Sequence, residues 1–348
     1  MQKGFGEYYL GLKGFPLKNN LGEIDSMNFH RDILKINCES EVNRICSFIQ
    51  EQAVSMRRDG ITIGLSGGID SALAASLCVK AVGVGKVFGL ILPEKESSPI
   101  SAKYAKKHAD ELGINSETID ITPILEEFGT YDRRDNVIRK IFPEYHSGYK
   151  LNITLPADLL SKDAFNFFTL KIEDGNRNVK SARLKKEALN GIVAATDTKQ
   201  RTRMMHLYYY AEMKNYLVCG TTNKSEVIQG FFVKYGDGGV DIEPLAHLYK
   251  TQVYQLSKYL GVSREIIDRA PSPDTFSFEV TDEEFYFRIP YDKLDFLLYA
   301  WENKSEISEV CEVMDLNEDQ VKRAFRDFTS KYNATKHLRE LPPMLAKK

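Results

Sequence analysis

Ser66-Gly67-Gly68-Ile69-Asp70-Ser71 is the stretch whose residue types and spacing point most directly to chemistry. Two glycines let a backbone turn tightly and aim amide groups at phosphate oxygens. Ser66 and Ser71 supply hydroxyls, and Asp70 supplies a carboxylate able to hold Mg2+. A helix opening here would add the positive end of its dipole. The pattern is not GxxxxGK[ST], because no Lys follows the glycines, and it is not GxGxxG. That argues against P-loop NTPases and Rossmann dehydrogenases. The competing reading is a plain strand–turn–helix corner; Ala72, Ala74 and Ala75, placed to pack behind the turn, weigh against it.

The elements that must position this turn follow from periodicity. Val42, Ile45, Phe48, Ile49, Ala53 and Met56 recur at spacings of three and four, which predicts a helix ending near Arg58. Ile61 to Leu65 is short, β-branched and apolar, as a buried parallel strand should be. A small-residue helix from about Asp70 to Val82, a strand Val87 to Leu92, an amphipathic helix Ser98 to Leu112 closed by Gly113, and a strand Glu117 to Ile121 follow. Much later, Met204 to Lys214 reads as helix and Tyr216 to Cys219 as strand. This alternation predicts an α/β fold with a doubly wound parallel sheet, whose ligands sit at the carboxyl ends of the strands. Both Gly-rich turns, after Leu65 and after Cys219, lie at such ends.

Residues of roughly 126–198 interrupt the alternation and read as a small β-containing insertion. Gly129 to Tyr149 is charged and turn-rich. Lys150 to Pro156, Phe167 to Ile172 and Val179 to Leu184 read as strands, the last two joined by a hairpin turn at Glu173-Asp174-Gly175-Asn176. Residues 1–39 read as an irregular N-terminal extension, with 40–348 as the main domain. The chain after Thr281 is mostly helical by period, with Ile307 to Leu316 and Asp319 to Phe328 as a helical hairpin.

Composition excludes several classes. Lys plus Arg is 47 and Asp plus Glu is 49, a net charge of −2, so the broad basic footprint of a nucleic-acid binder is missing. No apolar run approaches the ~18 residues of a membrane span. Cys38, Cys46, Cys78, Cys219 and Cys311 stand far apart with no CxxC pair, which fits a reduced cytoplasmic setting and argues against zinc.

SGGIDS resembles the pyrophosphatase loop of the N-type ATP pyrophosphatases, and further motifs select the NAD synthetase family within that group. These are Lys199-Gln200-Arg201-Thr202-Arg203-Met204, the run from Cys219 to Glu226, and Gly230 to Asp241 with its Lys-Tyr-Gly-Asp-Gly-Gly. Pro244-Leu245, Lys250-Thr251-Gln252-Val253, Pro271-Ser272-Pro273-Asp274, Thr281-Asp282-Glu283-Glu284 and His337 continue the match in order. The resemblance implies an adenine nucleotide alpha-hydrolase-like fold and a ligase. Such a ligase adenylates the deamido-NAD carboxylate with ATP and Mg2+, releases pyrophosphate, and amidates with ammonia as AMP leaves. Carried over by position, Ser66, Gly67, Gly68, Asp70, Ser71, Thr221, Lys250 and Ser272 would bind ATP, and Asp70 and Glu226 would hold the metal. Arg201, Lys234, Asp241 and His337 would meet the acceptor, and Asp237 or Asp241 would stand near the ammonia, so that Asp70, Lys250, Asp237 and Asp241 form the catalytic set. The resemblance also implies a homodimer. Taken singly, Glu226 reads as a first-turn charge, Lys250 as a solvated helix residue and Asp237-Gly238-Gly239 as a turn; their shared register carries the argument.

The departures fall around the acceptor. His337-Leu338-Arg339 replaces the family's His-Lys-Arg, which removes a basic group unless Arg339 or Lys336 substitutes for it. Thr275-Phe276-Ser277-Phe278 replaces a more polar segment, and the insertion is long. Only 65 residues precede Ser66, too few for a glutaminase domain, so free ammonia or a separate glutaminase subunit is expected. One alternative is the same chemistry on another carboxylate, a sugar acid or a nucleotide-linked acid. A second is a non-catalytic nucleotide-binding module, against which the presence of both Asp70 and Glu226 counts.

Overall fold

The computed structural model describes residues 29–156, 158–161 and 167–345. Most of the expected N-terminal extension therefore lies outside the described residues. Asn37 opens α1 (Cys38–Ser55), its side-chain oxygen accepting from Ser40 N at 2.9 Å, and Val42, Ile45, Cys46, Ile49 and Ala53 form the buried face. The chain then alternates: β1 (Gly60–Gly64), α2 (Ile69–Val82), β2 (Val87–Ile91), α3 (Pro99–Leu112) and β3 (Asn115–Thr118). Gly113 closes α3 in the left-handed conformation, as its position predicts.

The 115–139 region departs from expectation. β3 pairs with β2 through Asn115–Thr118, starting earlier than the expected Glu117 to Ile121, and Ile119 N and Ile121 N continue beside β2 by donating to Ile91 O and Pro93 O. α4 (Thr122–Glu127) follows β3, and the stretch from Gly129, expected as turns, holds α5 (Thr130–Arg139). The charges that disguise α5 are partly internal, since Arg134 and Asp135 are buried and ion-paired.

β4 (Lys150–Thr154), β5 (Thr169–Glu173) and β6 (Val179–Arg183) form a three-stranded antiparallel sheet in sequence order, as expected. Asp174 builds the hairpin turn by accepting from the backbone of Asn176 and Asn178. α6 (Lys186–Lys214) is far longer than the helix expected from Met204, and its first half packs against the three-stranded sheet through Ile192. It leads to β7 (Tyr216–Cys219), α7 (Lys224–Gln229), α8 (Lys250–Tyr259), α9 (Arg264–Ile267), α10 (Tyr291–Asn303), α11 (Ile307–Met314) and α12 (Glu318–Ala334). The expected hairpin near the C-terminus is α11 and α12.

The main sheet is parallel, ordered β3-β2-β1-β7. Chain direction across the sheet therefore reverses between β1 and β7, and the two Gly-rich turns flank that switch point, where α/β folds bind ligands. The principal core packs α1, α2 and α8 on one face; a second core joins α10, α11 and α12; a third lies between the inserted sheet and the start of α6.

Candidate active site

The turn after β1 is shaped by its own hydroxyls. Ser71 Oγ donates to Gly68 O at 3.0 Å, Ser66 N donates to Ser71 Oγ at 3.2 Å, and Gly68 N donates to Ser66 Oγ at 3.2 Å. Gly67 has φ +74°, and a Cβ there would overlap the carbonyl oxygen of Ser101. No side chain caps the first turn of α2, which leaves backbone N–H groups for an anion.

Asp70 stands in that first turn. Its carboxylate accepts from Lys250 Nζ at 2.5 Å and from Asn223 Nδ2 at 3.0 Å. Asn223 belongs to the second turn, where it forms a capping box with Glu226: its side chain accepts from Glu226 N at 3.1 Å, and its own N–H donates to the Glu226 carboxylate at 3.0 Å. One asparagine thus ties both turns together. Its role went unseen in the sequence, although Asn-x-x-Glu is a legible cap signature.

Lys250, the first residue of α8, is buried rather than solvated. Burial works to lower its pKa, but the Asp70, Glu226 and Asp282 carboxylates outweigh it and hold the ammonium charged. Burial, then the neighbouring charge of Asp70, pushes the Glu226 carboxyl up, with Lys250 opposing. Asp282 is a further carboxylate that spacing did not single out. It is 4% exposed, accepts from Tyr291 Oη at 3.0 Å, and is pushed up to about 6, chiefly by burial. Arg269 was also missed: it lines the cavity beside the first turn, with its guanidinium on Ser101 Oγ at 2.8 Å.

All of these side chains except Asn223 and Tyr291 line one cavity of about 650 Å3, together with Thr221, Ser272, Arg201, Lys234, Asp237 and His337. Arg201 Nε donates to Lys234 O at 3.3 Å, and Lys234 Nζ donates to His337 O at 2.7 Å. Asp237 accepts from Val233 N at 2.7 Å, and burial pushes its carboxyl up to about 6. Arg203 also lines the cavity, fixed by Leu92 O at 3.1 Å. Asp241 stands apart. Its carboxylate accepts from Val218 N at 2.7 Å and Tyr208 Oη at 3.1 Å, which braces β7, and it is not among the residues lining the cavity.

The structure also answers the question at position 338. Leu338 lines the cavity. Arg339 is turned away, donating to the carbonyls of Val227, Ile228 and Tyr332, and Lys336 pairs with Glu340 at 3.3 Å. Neither Lys336 nor Arg339 lines the cavity.

A parallel α/β sheet with a phosphate-shaped turn, paired carboxylates and a buried lysine at its switch point defines a nucleotide-binding enzyme fold of the adenine nucleotide alpha-hydrolase type. The family model described as NAD synthase matches residues 41–141 and 133–342, and this chain belongs to that family. An NH(3)-dependent NAD(+) synthetase of Rhizobium meliloti (strain 1021) is 42% identical over 317 residues, 91% of this chain and 94% of that protein. An NH(3)-dependent NAD(+) synthetase of Methanocaldococcus jannaschii is 35% identical over 88% of this chain and 96% of its own length. Among solved structures, an NMN synthetase from Francisella tularensis superposes with a TM-score of 0.62 at 25% identity, over 89% of this chain and 99% of that one.

Proposed function

We propose that the chain is an ammonia-dependent NAD+ synthetase, a ligase forming a carbon–nitrogen bond from ATP, deamido-NAD and ammonia. The observation that carries the reading is the meeting, in one cavity, of the Ser66–Ser71 turn and Lys250 with Arg201, Lys234 and Asp237. The first set suits a triphosphate; the second suits an anionic acceptor and a base.

Asp70 and Glu226 fit Mg2+. Burial, and then the neighbouring Asp70 charge, push the Glu226 carboxyl up, and a divalent cation between the two carboxylates would favour their charged forms. Among the described residues there is no group of three or more acidic, His or Cys ligands suited to a metal. Two carboxylates suit an ion that completes its shell with phosphate oxygens and water. When bound, Mg2+ offsets the charge that develops as the phosphates separate. Ser66, Ser71 and the open α2 N-terminus hold phosphate oxygens, and Lys250 and Arg269 bring positive charge to the leaving pyrophosphate. The acceptor carboxylate attacks the α-phosphorus, and the bond to the β-phosphate oxygen breaks. Ammonia then attacks the acyl carbon, the bond to AMP breaks, and Asp237, ionised at neutral pH, takes the released proton. No enzyme nucleophile is required.

Position 338 and the likeness to an NMN synthetase favour a second reading, the same chemistry on a mononucleotide acid, which presents one phosphate in place of two. Calorimetric titration separates the two, using an ATP analogue and Mg2+ with each acceptor. Deamido-NAD is expected to bind, more weakly to Arg201→Ala. Binding of the mononucleotide alone would transfer the activity to the smaller acid.

We also propose a homodimer. Its support is a stripe on α6, Met205, Tyr209 and Met213, exposed by 53%, 62% and 58% at spacings of four. Five free cysteines fit a cytoplasmic setting. Among the described residues no helix is long and apolar enough to cross a membrane.

A further inference from the structure

β4 is bonded along its length to the coil that follows Ser272. Phe278 N donates to Leu151 O at 3.0 Å, Leu151 N to Ser277 Oγ at 3.0 Å, Asn152 Nδ2 to Glu279 O at 3.2 Å, and Leu155 N to Glu284 O at 3.0 Å. That coil carries Ser272 and Asp282, both at the cavity. It is also tied to α6. Lys199 Nζ, fully buried, donates to Thr275 O at 2.8 Å while paired with Glu94 at 2.9 Å and Glu96 at 2.7 Å. Arg134 of α5 grips Glu96 through two bonds of 2.6 and 2.7 Å. The insertion and α5 therefore fix the coil rather than decorate it.

The inserted sheet also continues into the cavity wall. Ile153 and Phe168 line the cavity with Phe276 of the coil, Phe285 of the helical turn Glu283–Phe287 that follows it, and Val193 of α6. Phe285 stands 6.2 Å from Phe168 and 5.6 Å from Phe276 between ring centroids. This apolar wall bounds the same space as Asp70, Lys250 and Asp237, whose chemistry is ionic. Apolar surface offers water no hydrogen bonds, so it keeps bulk water out of a site it covers.

We infer that the insertion is an apolar roof over the reaction chamber that keeps water from the activated acyl group and so couples ATP cleavage to amide formation. The inference rests on the adenylation reading above. The acyl-adenylate has two fates. Ammonia attacks the acyl carbon, the bond to the AMP oxygen breaks, and amide, AMP and a proton result. Water attacks the same carbon, the same bond breaks, and the starting carboxylate and AMP are released with two protons; ATP is consumed and no amide forms. Water far outnumbers ammonia, so the second route is limited only by access.

The test counts AMP against amide in one reaction vessel with full-length protein, ATP, Mg2+, deamido-NAD and limiting ammonia. Wild type is expected to give one AMP per amide. Phe168→Ser is expected to raise that ratio at least about twofold, more as ammonia falls, and Phe168→Leu to restore it. Phe285→Ser, on the other ring of the pair, provides the same readout if the first variant does not fold. A ratio that stays at one in the Ser variants, however slow they become, makes the wall merely structural and overturns the roof alone. A wild type that forms no amide overturns both the roof and the adenylation reading.

Discussion

Arg269 presents its guanidinium to the cavity from a segment far in sequence from the turn it serves, with Nη1 3.5 Å from Gly67 O. A cation beside a phosphate turn stabilises the anion most where solvent is partly excluded. Arg269→Ala is expected to raise the KM for ATP about tenfold, the scale of one charge-assisted contact, with little change in acceptor affinity. Steady-state kinetics with each substrate varied in turn checks this; an unchanged KM for ATP means the guanidinium serves only Ser101. Glu243 makes a different prediction. Its carboxylate accepts from Thr222 N at 3.1 Å and fills the space where a Cβ on Gly220 would sit. Burial pushes it up to about 8 from an ordinary 4.5. The folded state therefore holds this proton more tightly than the unfolded state. The stability it contributes is complete below about 4.5 and is lost as pH rises through about 8. Glu243→Gln keeps an acceptor for Thr222 and has no proton to lose. Its stability relative to wild type is expected to rise from pH 5 to about pH 8 and level off above, by on the order of 1–2 kcal/mol because part of the side chain reaches solvent. A difference independent of pH across that range contradicts the burial argument.

At the scale of elements, the legible parts are those governed by local pattern. β1, β2 and β7 are short, largely buried apolar runs, and α2 follows an unmistakable Gly-rich turn. α6 was legible only from Met204, because its faces meet three different environments: the inserted sheet through Ile192, the cavity through Thr196 and Gln200, and the main sheet through Leu207. Such a helix shows no single apolar stripe. α5 was read as turns because its charges suggested solvent, whereas Arg134 is satisfied internally by Glu96 and Asp135. The site follows the same logic. Asp70, Glu226 and Lys250 sit in motifs whose local form can be recognised. The positions of Asp282, Arg269 and Arg203, and the turning of Asp241 onto Val218, depend on segments distant in sequence that only the fold brings together.

At the scale of the whole molecule, the α6 stripe lies on the helix that also supplies Arg201 and Arg203 to the cavity. Burying that stripe against a second copy would link assembly to the acceptor end of the site. Size-exclusion chromatography with light scattering is expected to give a dimer mass, shifted toward monomer in a Tyr209→Lys, Met213→Lys double variant; a wild-type monomer at micromolar concentration removes the dimer. The central claim is that this fold spends ATP by splitting it between the α- and β-phosphates to activate a carboxylate for ammonia. Its most direct test is a product analysis of wild-type protein with ATP, Mg2+, deamido-NAD and ammonia, following nucleotides and phosphates together. The account predicts AMP, pyrophosphate and NAD+ in equal amounts, dependent on both acceptor and ammonia; ADP and inorganic phosphate as the main products would contradict it.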